Sequence, residues 1–301
     1  MTPQPRGCMT DTRLPVDRSP SRAPSRSRSA HPSFPASRPA GVFVTYNSER
    51  HLQRLFPGVL RTAFDEVIAV DNGSSDRSVD VARDAGFRTR RLHGNPGYAA
   101  AVNVGVRESH AEHVVVMNPD VVIDAPRVVD RLLVHFEDPS VGVVAPALLL
   151  PTGARQDSAR DVPAPWQLVA RRMFGGQQGR VDAEKPCVVD WVVGACLCIR
   201  RSAFEALGGF DERYRFYFED VDFCVRLWRA GWKVVYDPTV VVRHEHGAGS
   251  RKTFLGWPMR QHIRGAARFY RRHPAFATLT GPRRAPRRRP GEAGVHPVHS
   301  A

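Results

Sequence analysis

The sequence contains no long apolar run and few cysteines. None of its apolar stretches approaches the roughly 18–20 residues that a membrane-spanning helix requires, and the longest lie at 141–151 and 192–199. The N-terminus is rich in Arg, Pro and Ser and lacks the apolar core of a signal peptide. The five cysteines form neither a C-x-x-C pair nor a zinc-binding spacing with histidines. These absences predict a cytoplasmic protein whose cysteines are buried free thiols.

The overall composition is that of an ordinary globular protein, with 301 residues, 42% hydrophobic and 25% charged. This excludes collagen, small disulfide scaffolds and disorder throughout the chain. The formal net charge of +14 is concentrated at the two ends, because residues 1–40 hold seven Arg and two Asp and residues 281–301 hold five Arg and one Glu. We therefore expect a disordered basic leader (1–40) and a disordered basic tail (276–301), with contact to nucleic acid or an anionic membrane as the alternative.

Helical and extended patterns alternate from residue 41 onward. Strands are predicted at 41–47, 66–70, 87–92, 112–117 and 141–150, and helices at 48–61, 75–85, 97–109 and 125–136. Further along, the pattern predicts a buried strand at 188–199, helices at 201–207 and 221–230, and short strands at 233–236 and 240–242. Residues 157–184 are interpreted as a long connection or lid. The alternation predicts an α/β fold with a single Rossmann-like, mostly parallel sheet flanked by helices, and a ligand site beyond the carboxyl ends of its strands.

A basic amphipathic helix is predicted near the end of the chain, within residues 251–275. Its apolar stripe comprises Leu255, Met259, Ile263, Ala266 and Tyr270, and its Arg residues off that stripe are Arg260, Arg264, Arg268 and Arg271. Two interpretations stay open: the stripe packs on the main domain, or the helix lies on an anionic bilayer.

The first polar cluster follows the first two predicted strands. V-T-Y-N places Thr45, Tyr46 and Asn47 at the end of one strand, and D-N-G-S-S-D places Asp71 and Gly73 at the end of the next. A carboxylate there can accept hydrogen bonds from a nucleotide, and an aromatic ring can stack on its base. D-N-G-S is also a good turn sequence. The glycine-rich phosphate loops of dinucleotide-binding enzymes and P-loop NTPases are absent.

Two further clusters carry carboxylates and histidines. Asn118 and Asp120 follow an apolar strand in N-P-D, where oxygen ligands suit a divalent cation, although Asn-Pro-Asp is also typical of a turn. In F-E-D-V-D-F, the residues Glu219, Asp220 and Asp222 either stabilise a helix N-terminus or supply a general base. His244 and His246 follow a strand pattern later in the chain.

Taken in order, these motifs resemble family 2 glycosyltransferases over roughly residues 41–272. They are VTYN (44–47), DNGSSD (71–76), NPGYAAAVNVG (95–105), NPD (118–120), GGFDERYRFYFEDVDFCVR (208–226) and RHEHGAGS (243–250). The resemblance is closest to bacterial rhamnosyltransferases that build cell-surface polysaccharide. It implies a GT-A fold with a catalytic domain at 41–250, a nucleotide-diphosphate sugar donor, a divalent metal and inversion at the anomeric carbon.

The resemblance also implies roles for individual residues. The expected nucleotide-sugar contacts are Thr45, Tyr46, Asn47, Asp71, Gly73, Asn95, Gly97, Asn103 and Asn118. Asp120 matches the last carboxylate of the family's D-x-D metal motif, with Asn118 in place of the first, and His244 or His246 would complete the Mg²⁺ or Mn²⁺ site. Asp220 would be the catalytic base beside Glu219, and Trp191 and Gly194 would line the acceptor pocket.

The function that the resemblance implies is transfer of L-rhamnose in cell-wall or surface polysaccharide synthesis. The donor would be dTDP-rhamnose or another dTDP- or UDP-linked sugar, and the acceptor a hydroxyl of a saccharide or lipid-linked oligosaccharide. The enzyme would act in the cytoplasm or at the inner face of the membrane, without binding nucleic acid. The alternatives are a polyprenyl-phosphate glycosyltransferase, an Arg-rich nucleic-acid-binding protein and a catalytically silent scaffold.

Overall fold

The computed structural model describes residues 37–168, 181–245 and 256–277. The strands of its main sheet are β1 (Ala40–Thr45), β2 (Glu66–Asp71), β3 (Arg88–Arg91), β4 (His113–Met117), β5 (Val121–Val122), β6 (Val141–Leu149), β8 (Cys187–Val188), β10 (Cys196–Arg200) and β11 (Lys233–His244). Strands β7 (Ala159–Arg160) and β9 (Trp191–Val192) form a separate small sheet.

The order of the main sheet is β3-β2-β1-β4-β10-β6-β11-β5, with β8 paired to β11. Strands β3, β2, β1 and β4 are parallel, and β10 runs antiparallel between β4 and β6. The predicted mostly parallel α/β sheet is confirmed.

Helices cover both faces of this sheet. They are α1 (Glu49–Leu52), α2 (Pro57–Ala63), α3 (Ser78–Asp84), α4 (Tyr98–Glu108), α5 (Arg127–Leu133), α6 (Arg201–Ala206), α7 (Glu219–Arg229) and α8 (Trp257–Arg272), with 3₁₀ turns at Val134–Glu137 and Pro274–Ala277. Alternate residues of β1 belong to different apolar clusters. Val42 and Val44 lie in the cluster that contains residues of α4, and Phe43 lies in the cluster that contains residues of α2. Because both faces are buried, the strand reads as a continuous apolar run.

The predicted helix at 48–61 is wrong as a single element. The chain forms α1 and α2 instead, and Phe56 between them has φ −101° and ψ 86°. Pro57 begins α2, and the residue before a proline is sterically excluded from the helical region.

Two strand predictions in the second half are also corrected. The single strand predicted at 188–199 is three strands, because its parts pair with different partners: β8 with β11, β9 with β7, and β10 with β4 and β6. The two strands predicted at 233–236 and 240–242 are one strand, β11, which pairs with β6 on both sides of a register shift between Asp237 and Val241. Asp237 stabilises this bulge by accepting hydrogen bonds from the backbone N–H (2.8 Å) and hydroxyl (2.6 Å) of Thr239.

The C-terminal helix α8 is present, but its buried stripe differs from the predicted one. Ile263 is 61% exposed, whereas Phe269 and His273 are buried. Gly265 faces the carbonyl oxygen of Tyr217, and a Cβ there would lie only 2.7 Å from that oxygen. The pattern of hydrophobic residues in the sequence does not indicate a contact that depends on a glycine. Of the two interpretations left open, the contacts of Phe269 with Phe218 and of Gly265 with Tyr217 support packing on the rest of the protein.

A buried ionic network holds this helix end in place. The Nε2 atom of His273 lies 2.9 Å from Oδ1 of Asp222, and Arg226 donates to Asp222 Oδ2 at 2.7 Å. Burial raises the pKa of Asp222, but the hydrogen bond from His273 and the charge of Arg226 outweigh it and hold the pKa below its usual value. Asp222 therefore stabilises the fold as a carboxylate.

Several sequence predictions lie outside the described residues. They include most of the leader and tail, His246, Leu255 and part of the predicted lid, and the domain boundaries stay predictions. Within the described ranges, Cys196, Cys198 and Cys224 are buried free thiols, as predicted, whereas Cys187 is partly exposed. None of the described helices combines the length and apolar character needed to cross a bilayer.

We predict that Gly105→Ala destabilises the protein by about 1–3 kcal/mol, because α4 packs directly on β1. A Cβ at residue 105 would lie 2.4 Å from Cγ1 of Val42, which is a stiff β-branched side chain in a central strand. The matched control is Gly58→Ala in α2, where a Cβ meets nothing within 4 Å, so a gain of about 0.4–1 kcal/mol is expected. Urea unfolding measures both changes, and equal stabilities of the two variants would contradict this packing.

Candidate functional site

Asp71 is 1% exposed and organises the turn that follows β2. Its Oδ2 atom accepts hydrogen bonds from the backbone N–H groups of Gly73 (3.1 Å) and Ser74 (2.9 Å), and Oδ1 accepts from the hydroxyls of Thr45 (3.1 Å) and Ser74. Gly73 has φ +83°, which a side chain would disfavour. The turn interpretation accounts for these hydrogen bonds, and a direct nucleotide contact by Asp71 stays a prediction.

The residues after β1 lie beside this turn. Tyr46 is 51% exposed, so its ring is accessible. Asn47 has φ +48°, and its Oδ1 atom accepts from the N–H of Ser75 at 2.9 Å. The structure therefore brings the V-T-Y-N and D-N-G-S-S-D motifs together, while their contacts with a nucleotide stay predictions.

The 95–97 segment precedes α4 and contacts the loop of residues 213–217. Arg215 donates from its guanidinium to the carbonyl oxygen of Asn95 at 2.7 Å, and its own carbonyl accepts from the N–H of Tyr98 at 3.0 Å. A Cβ on Gly97 would lie 2.6 Å from the carbonyl oxygen of Arg215, so this close approach requires glycine. The contact joins the N-terminus of α4 to the segment that leads into α7.

Asn103 is predicted to contact the nucleotide sugar, but the structure gives it other partners. Its amide nitrogen donates to Phe210 O and to Glu212 Oε1, both at 2.9 Å, and its Oδ1 accepts from the N–H of Phe210 at 2.8 Å. The residue is buried, and both amide hydrogens are used inside the protein. Asn103 therefore ties α4 to the 208–212 turn and leaves no amide hydrogen for a ligand.

The loop after β4 and the end of β11 bring Asp120 and His244 together. Nε2 of His244 lies 3.3 Å from Oδ1 of Asp120, and Nδ1 lies 2.6 Å from Oε1 of Gln156. Because a carbonyl oxygen only accepts, we assign the ring proton to Nδ1, which leaves the Nε2 lone pair facing the carboxylate. Asp120 Oδ1 is buried and has no hydrogen-bond partner among the described residues.

This pair of side chains fits a divalent cation. A carboxylate oxygen and an imidazole nitrogen that face each other, with the second ring nitrogen anchored by an amide, form a donor pair that can bind a divalent cation. Across the described ranges, no group of three or more His, Cys, Asp or Glu side chains could hold a metal ion. Asp120 and His244 thus supply two donors, and His246 lies outside the described residues.

Glu219 and Asp220 begin α7. The chain enters this helix through Phe218, whose φ of +71° is unusual for a residue with a side chain. Burial raises the pKa of Asp220 above 3.8, and burial together with the charge of Asp220 raises the pKa of Glu219 well above 4.5. Oε2 of Glu219 has no hydrogen-bond partner among the described residues. Asp220 accepts a hydrogen bond from the backbone N–H of Gly194 at 3.0 Å, so its charged form has a donor that Oε2 of Glu219 lacks.

The backbone of two consecutive residues, Gly194 and Ala195, connects Asp220 to the loop after β4 that carries Asn118 and Asp120 (the Asp120 loop). Gly194 donates its N–H to Oδ2 of Asp220 at 3.0 Å, and Ala195 accepts from the N–H of Asn118 at 2.9 Å. The hydroxyl of Tyr98 donates to the carbonyl oxygen of Gly194 at 2.6 Å. The predicted metal loop and the predicted base are thus held on either side of one short segment.

Trp191 lies at the other end of the segment that leads to Gly194. It is partly exposed, and its Nε1 atom donates to the carbonyl oxygen of Asp161 at 3.0 Å. The guanidinium of Arg160 lies 5.8 Å from the centre of its ring. These contacts orient the ring, and its role in acceptor binding stays a prediction.

Sequence reasoning missed two residues of this site. Tyr98 lies within the conspicuous NPGYAAAVNVG motif, but its contact with Gly194 joins residues 96 positions apart. Gln156 lies outside every motif, and it reaches His244 across 88 positions. The motif itself was a signal for Tyr98, whereas the sequence held none for Gln156.

Comparison with known proteins gives the family. The model of "Glycosyl transferase family 2" matches residues 42–208, which is more than half of the chain. The chain belongs to glycosyl transferase family 2. The predicted family and enzyme class are therefore confirmed.

Two curated relatives and one solved structure illustrate the similarity. The N-acetylglucosaminyl-diphospho-decaprenol L-rhamnosyltransferase of Mycobacterium tuberculosis is 35% identical over 244 residues, covering 69% of this chain and 76% of the relative. The rhamnosyltransferase WbbL of Escherichia coli is 24% identical over 195 residues, covering 60% of this chain and 69% of the relative. The mannosyltransferase PcManGT of Pyrobaculum calidifontis, solved with GDP-Man and Mn²⁺, has a TM-score of 0.55 and 20% identity, covering 80% of this chain and 66% of that one. This likeness confirms the predicted GT-A fold of the glycosyltransferase.

We predict that Tyr98→Phe lowers the free energy of unfolding by about 1–3 kcal/mol, because the buried carbonyl of Gly194 loses its donor. Tyr270→Phe is a matched control, since it removes a hydroxyl that donates to Pro163 O at 2.8 Å in a partly buried position. Water can replace that donor more easily, so the control should lose less. Denaturant unfolding compares the two variants, and a Tyr98→Phe variant as stable as the wild type would contradict the bond.

Proposed function

We propose that this glycosyltransferase is an inverting enzyme that transfers L-rhamnose from dTDP-rhamnose to a hydroxyl of a lipid-linked saccharide in cell-wall or surface polysaccharide synthesis. The rhamnose assignment is supported by the relative at 35% identity, whose name states L-rhamnosyl transfer and an N-acetylglucosaminyl-diphospho-decaprenol acceptor. A second relative at 24% identity is also named a rhamnosyltransferase.

The observation that carries the catalytic proposal is that Gly194 and Ala195, through their backbone hydrogen bonds, connect Asp220 to the loop of Asn118 and Asp120. We call this segment the Gly194–Ala195 bridge. Displacement at an anomeric carbon needs a base on the attacking hydroxyl and stabilisation of the leaving diphosphate on the opposite side. Asp220 on one end of the bridge supports the first role, and the loop of Asn118 and Asp120 on the other end supports the second.

Asp220 takes the proton from the acceptor hydroxyl in this proposal. Its raised pKa makes its carboxylate a better proton acceptor than an ordinary aspartate, while the hydrogen bond from Gly194 orients Oδ2. The hydrogen bond from Gly194 favours the charged form of Asp220, whereas Oε2 of Glu219 has no hydrogen-bond partner among the described residues, which favours the neutral acid there. Tyr98 is a positioning residue that holds the Gly194 carbonyl.

Asp120 and His244 would hold Mg²⁺ or Mn²⁺, with the anchoring of His244 by Gln156 keeping its Nε2 free to bind the metal. A bound divalent cation supplies charge that stabilises a leaving diphosphate. Since these are two protein donors, we expect diphosphate oxygens and water to complete the coordination.

The donor nucleotide is assigned to the carboxyl ends of β1 and β2. Tyr46 would stack on the base, with Thr45, Asn47 and Gly73 around it and Asp71 shaping the turn. The remaining donor contacts in this proposal are Asn95, Gly97 and Asn118, while Trp191 and Gly194 would face the acceptor. The exposed side of α8, which carries Arg260 and Ile263, supports a peripheral position at the inner face of the membrane.

The test is Asp220→Asn, which we expect to lower the rate of rhamnosyl transfer about 10²–10⁴-fold while donor binding is kept. The matched variant is Glu219→Gln, which should keep most activity because glutamine resembles the neutral acid. The assay follows dTDP release from dTDP-rhamnose with a short-chain prenyl-diphospho-N-acetylglucosamine acceptor.

The pH profile provides a second readout of the same proposal. Because the base must be ionised, wild-type activity should fall as pH drops through the raised pKa of Asp220, which lies above 3.8. Wild-type turnover in Asp220→Asn would contradict the proposal and favour an acceptor that is already anionic, such as a polyprenyl phosphate.

A further inference from the structure

An arginine-rich groove lies between α8 and the loop of residues 213–216. Its volume is about 410 Å³. Five of its lining residues are arginines, namely Arg213, Arg215, Arg264, Arg268 and Arg271, and its lining includes no acidic side chain. None of its lining residues is among those assigned to the donor or the base, although Arg215 also contacts Asn95.

Most of this positive charge is not neutralised by the protein. Within the described residues, Arg264, Arg268 and Arg271 have no carboxylate partner. Arg213 pairs with Asp211 at 2.6 Å, but that carboxylate also contacts Arg272. The groove is therefore complementary to a ligand with more than one negative charge.

The arrangement of the arginines suits phosphate groups. Residues 264, 268 and 271 are spaced by four and three positions, which places them on the same side of α8. Each guanidinium can donate two parallel hydrogen bonds to phosphate oxygens. Phe216, which is 38% exposed, lines the same groove and offers an apolar surface beside the charges. A diphosphate attached to an apolar chain matches both features.

The groove is directly connected to the proposed base. Phe216 precedes Asp220 by four residues, and the chain between them turns through Tyr217 (φ +70°) and Phe218 (φ +71°). The carbonyl of Arg215 accepts from the N–H of Tyr98, the residue that also holds Gly194. A ligand in the groove is thus held next to the segment that carries Asp220.

We propose that this groove binds the diphosphate of a lipid-linked acceptor and so presents the sugar attached to it to Asp220. The inference rests on the proposed function, because it assigns a site to that function's acceptor. The donor's diphosphate belongs to the separate Asp120 loop, and Arg264, Arg268 and Arg271 are acceptor-binding residues.

The test measures binding of geranyl diphosphate, a water-soluble prenyl diphosphate, to the full chain by calorimetry at fixed ionic strength. The variant R264Q/R268Q/R271Q should weaken this binding by about tenfold or more, since each charge-assisted hydrogen bond contributes strongly. The matched control R83Q/R107Q/R127Q removes the same charge from exposed positions on α3, α4 and α5 and should change the affinity by less than about twofold. Geraniol, which lacks the diphosphate, should not bind at this concentration.

Results of three kinds would overturn the inference. The first kind shows no contribution from the arginines: the wild type does not bind geranyl diphosphate, or the wild type and R264Q/R268Q/R271Q bind it with equal affinity. The second is loss of binding in Asp120→Ala with displacement by dTDP, which would place the ligand in the donor site. The third is loss of binding to phosphatidylglycerol vesicles in R264Q/R268Q/R271Q while geranyl diphosphate still binds, which would make the groove a membrane contact.

Donor binding separates this inference from the proposed function. If dTDP-rhamnose with Mn²⁺ binds R264Q/R268Q/R271Q as it binds the wild type, the variant is folded and its defect is confined to the groove. If the wild type binds geranyl diphosphate through the arginines but binds no nucleotide sugar, the groove assignment stands and the proposed function fails.

Discussion

Two hydrogen bonds made by the backbone of consecutive residues fix the positions of two polar segments of this glycosyltransferase, the loop after β4 and the N-terminus of α7. Gly194 donates to the carboxylate of Asp220, and Ala195 accepts from the N–H of Asn118. The next residue, Cys196, pairs with Met117 as β10 begins, so the bridge is fixed to the centre of the sheet. The distance between the loop after β4 and the N-terminus of α7 is therefore set by the sheet itself, and rigid supports of this kind favour precise placement of reacting groups.

The loop of residues 213–218 adds a second constraint. It is held on one side by Gly97 and Tyr98, and on the other by Gly265 of α8. Two consecutive positive φ angles, at Tyr217 and Phe218, are costly for residues with side chains, and the packing on both sides compensates for them. Helix α8 and the buried network of Asp222 and His273 thus support the N-terminal part of α7, which carries the proposed base Asp220. Sequence periodicity indicates only that this C-terminal helix is amphipathic. In the structure, it also packs against the loop that leads to the candidate site.

Much of the fold and the positions of the main polar clusters could be predicted from the sequence. Parallel strands alternating with helices bring their carboxyl ends to one edge, so Tyr46, Asp71 and Asp120 were expected there. The divided strand at 188–199 could not be predicted, because its three partners are set by tertiary pairing. Gln156 and Tyr98 form their hydrogen bonds with residues far away in the sequence. Asn103 lies in a motif that suggests ligand binding, but its hydrogen-bond partners are other residues of the protein. Local patterns carry no information about such contacts.

The most direct test of the central claim is a thermal-shift comparison of dTDP-rhamnose, UDP-sugars and GDP-sugars, each with and without Mn²⁺, on the wild type and Asp120→Ala. A ligand that binds only the native state raises its melting temperature. We expect dTDP-rhamnose to give the largest shift, Mn²⁺ to increase it, and Asp120→Ala to lose both the shift and its metal response. An unchanged shift in Asp120→Ala, or no shift with any nucleotide sugar, would contradict the account.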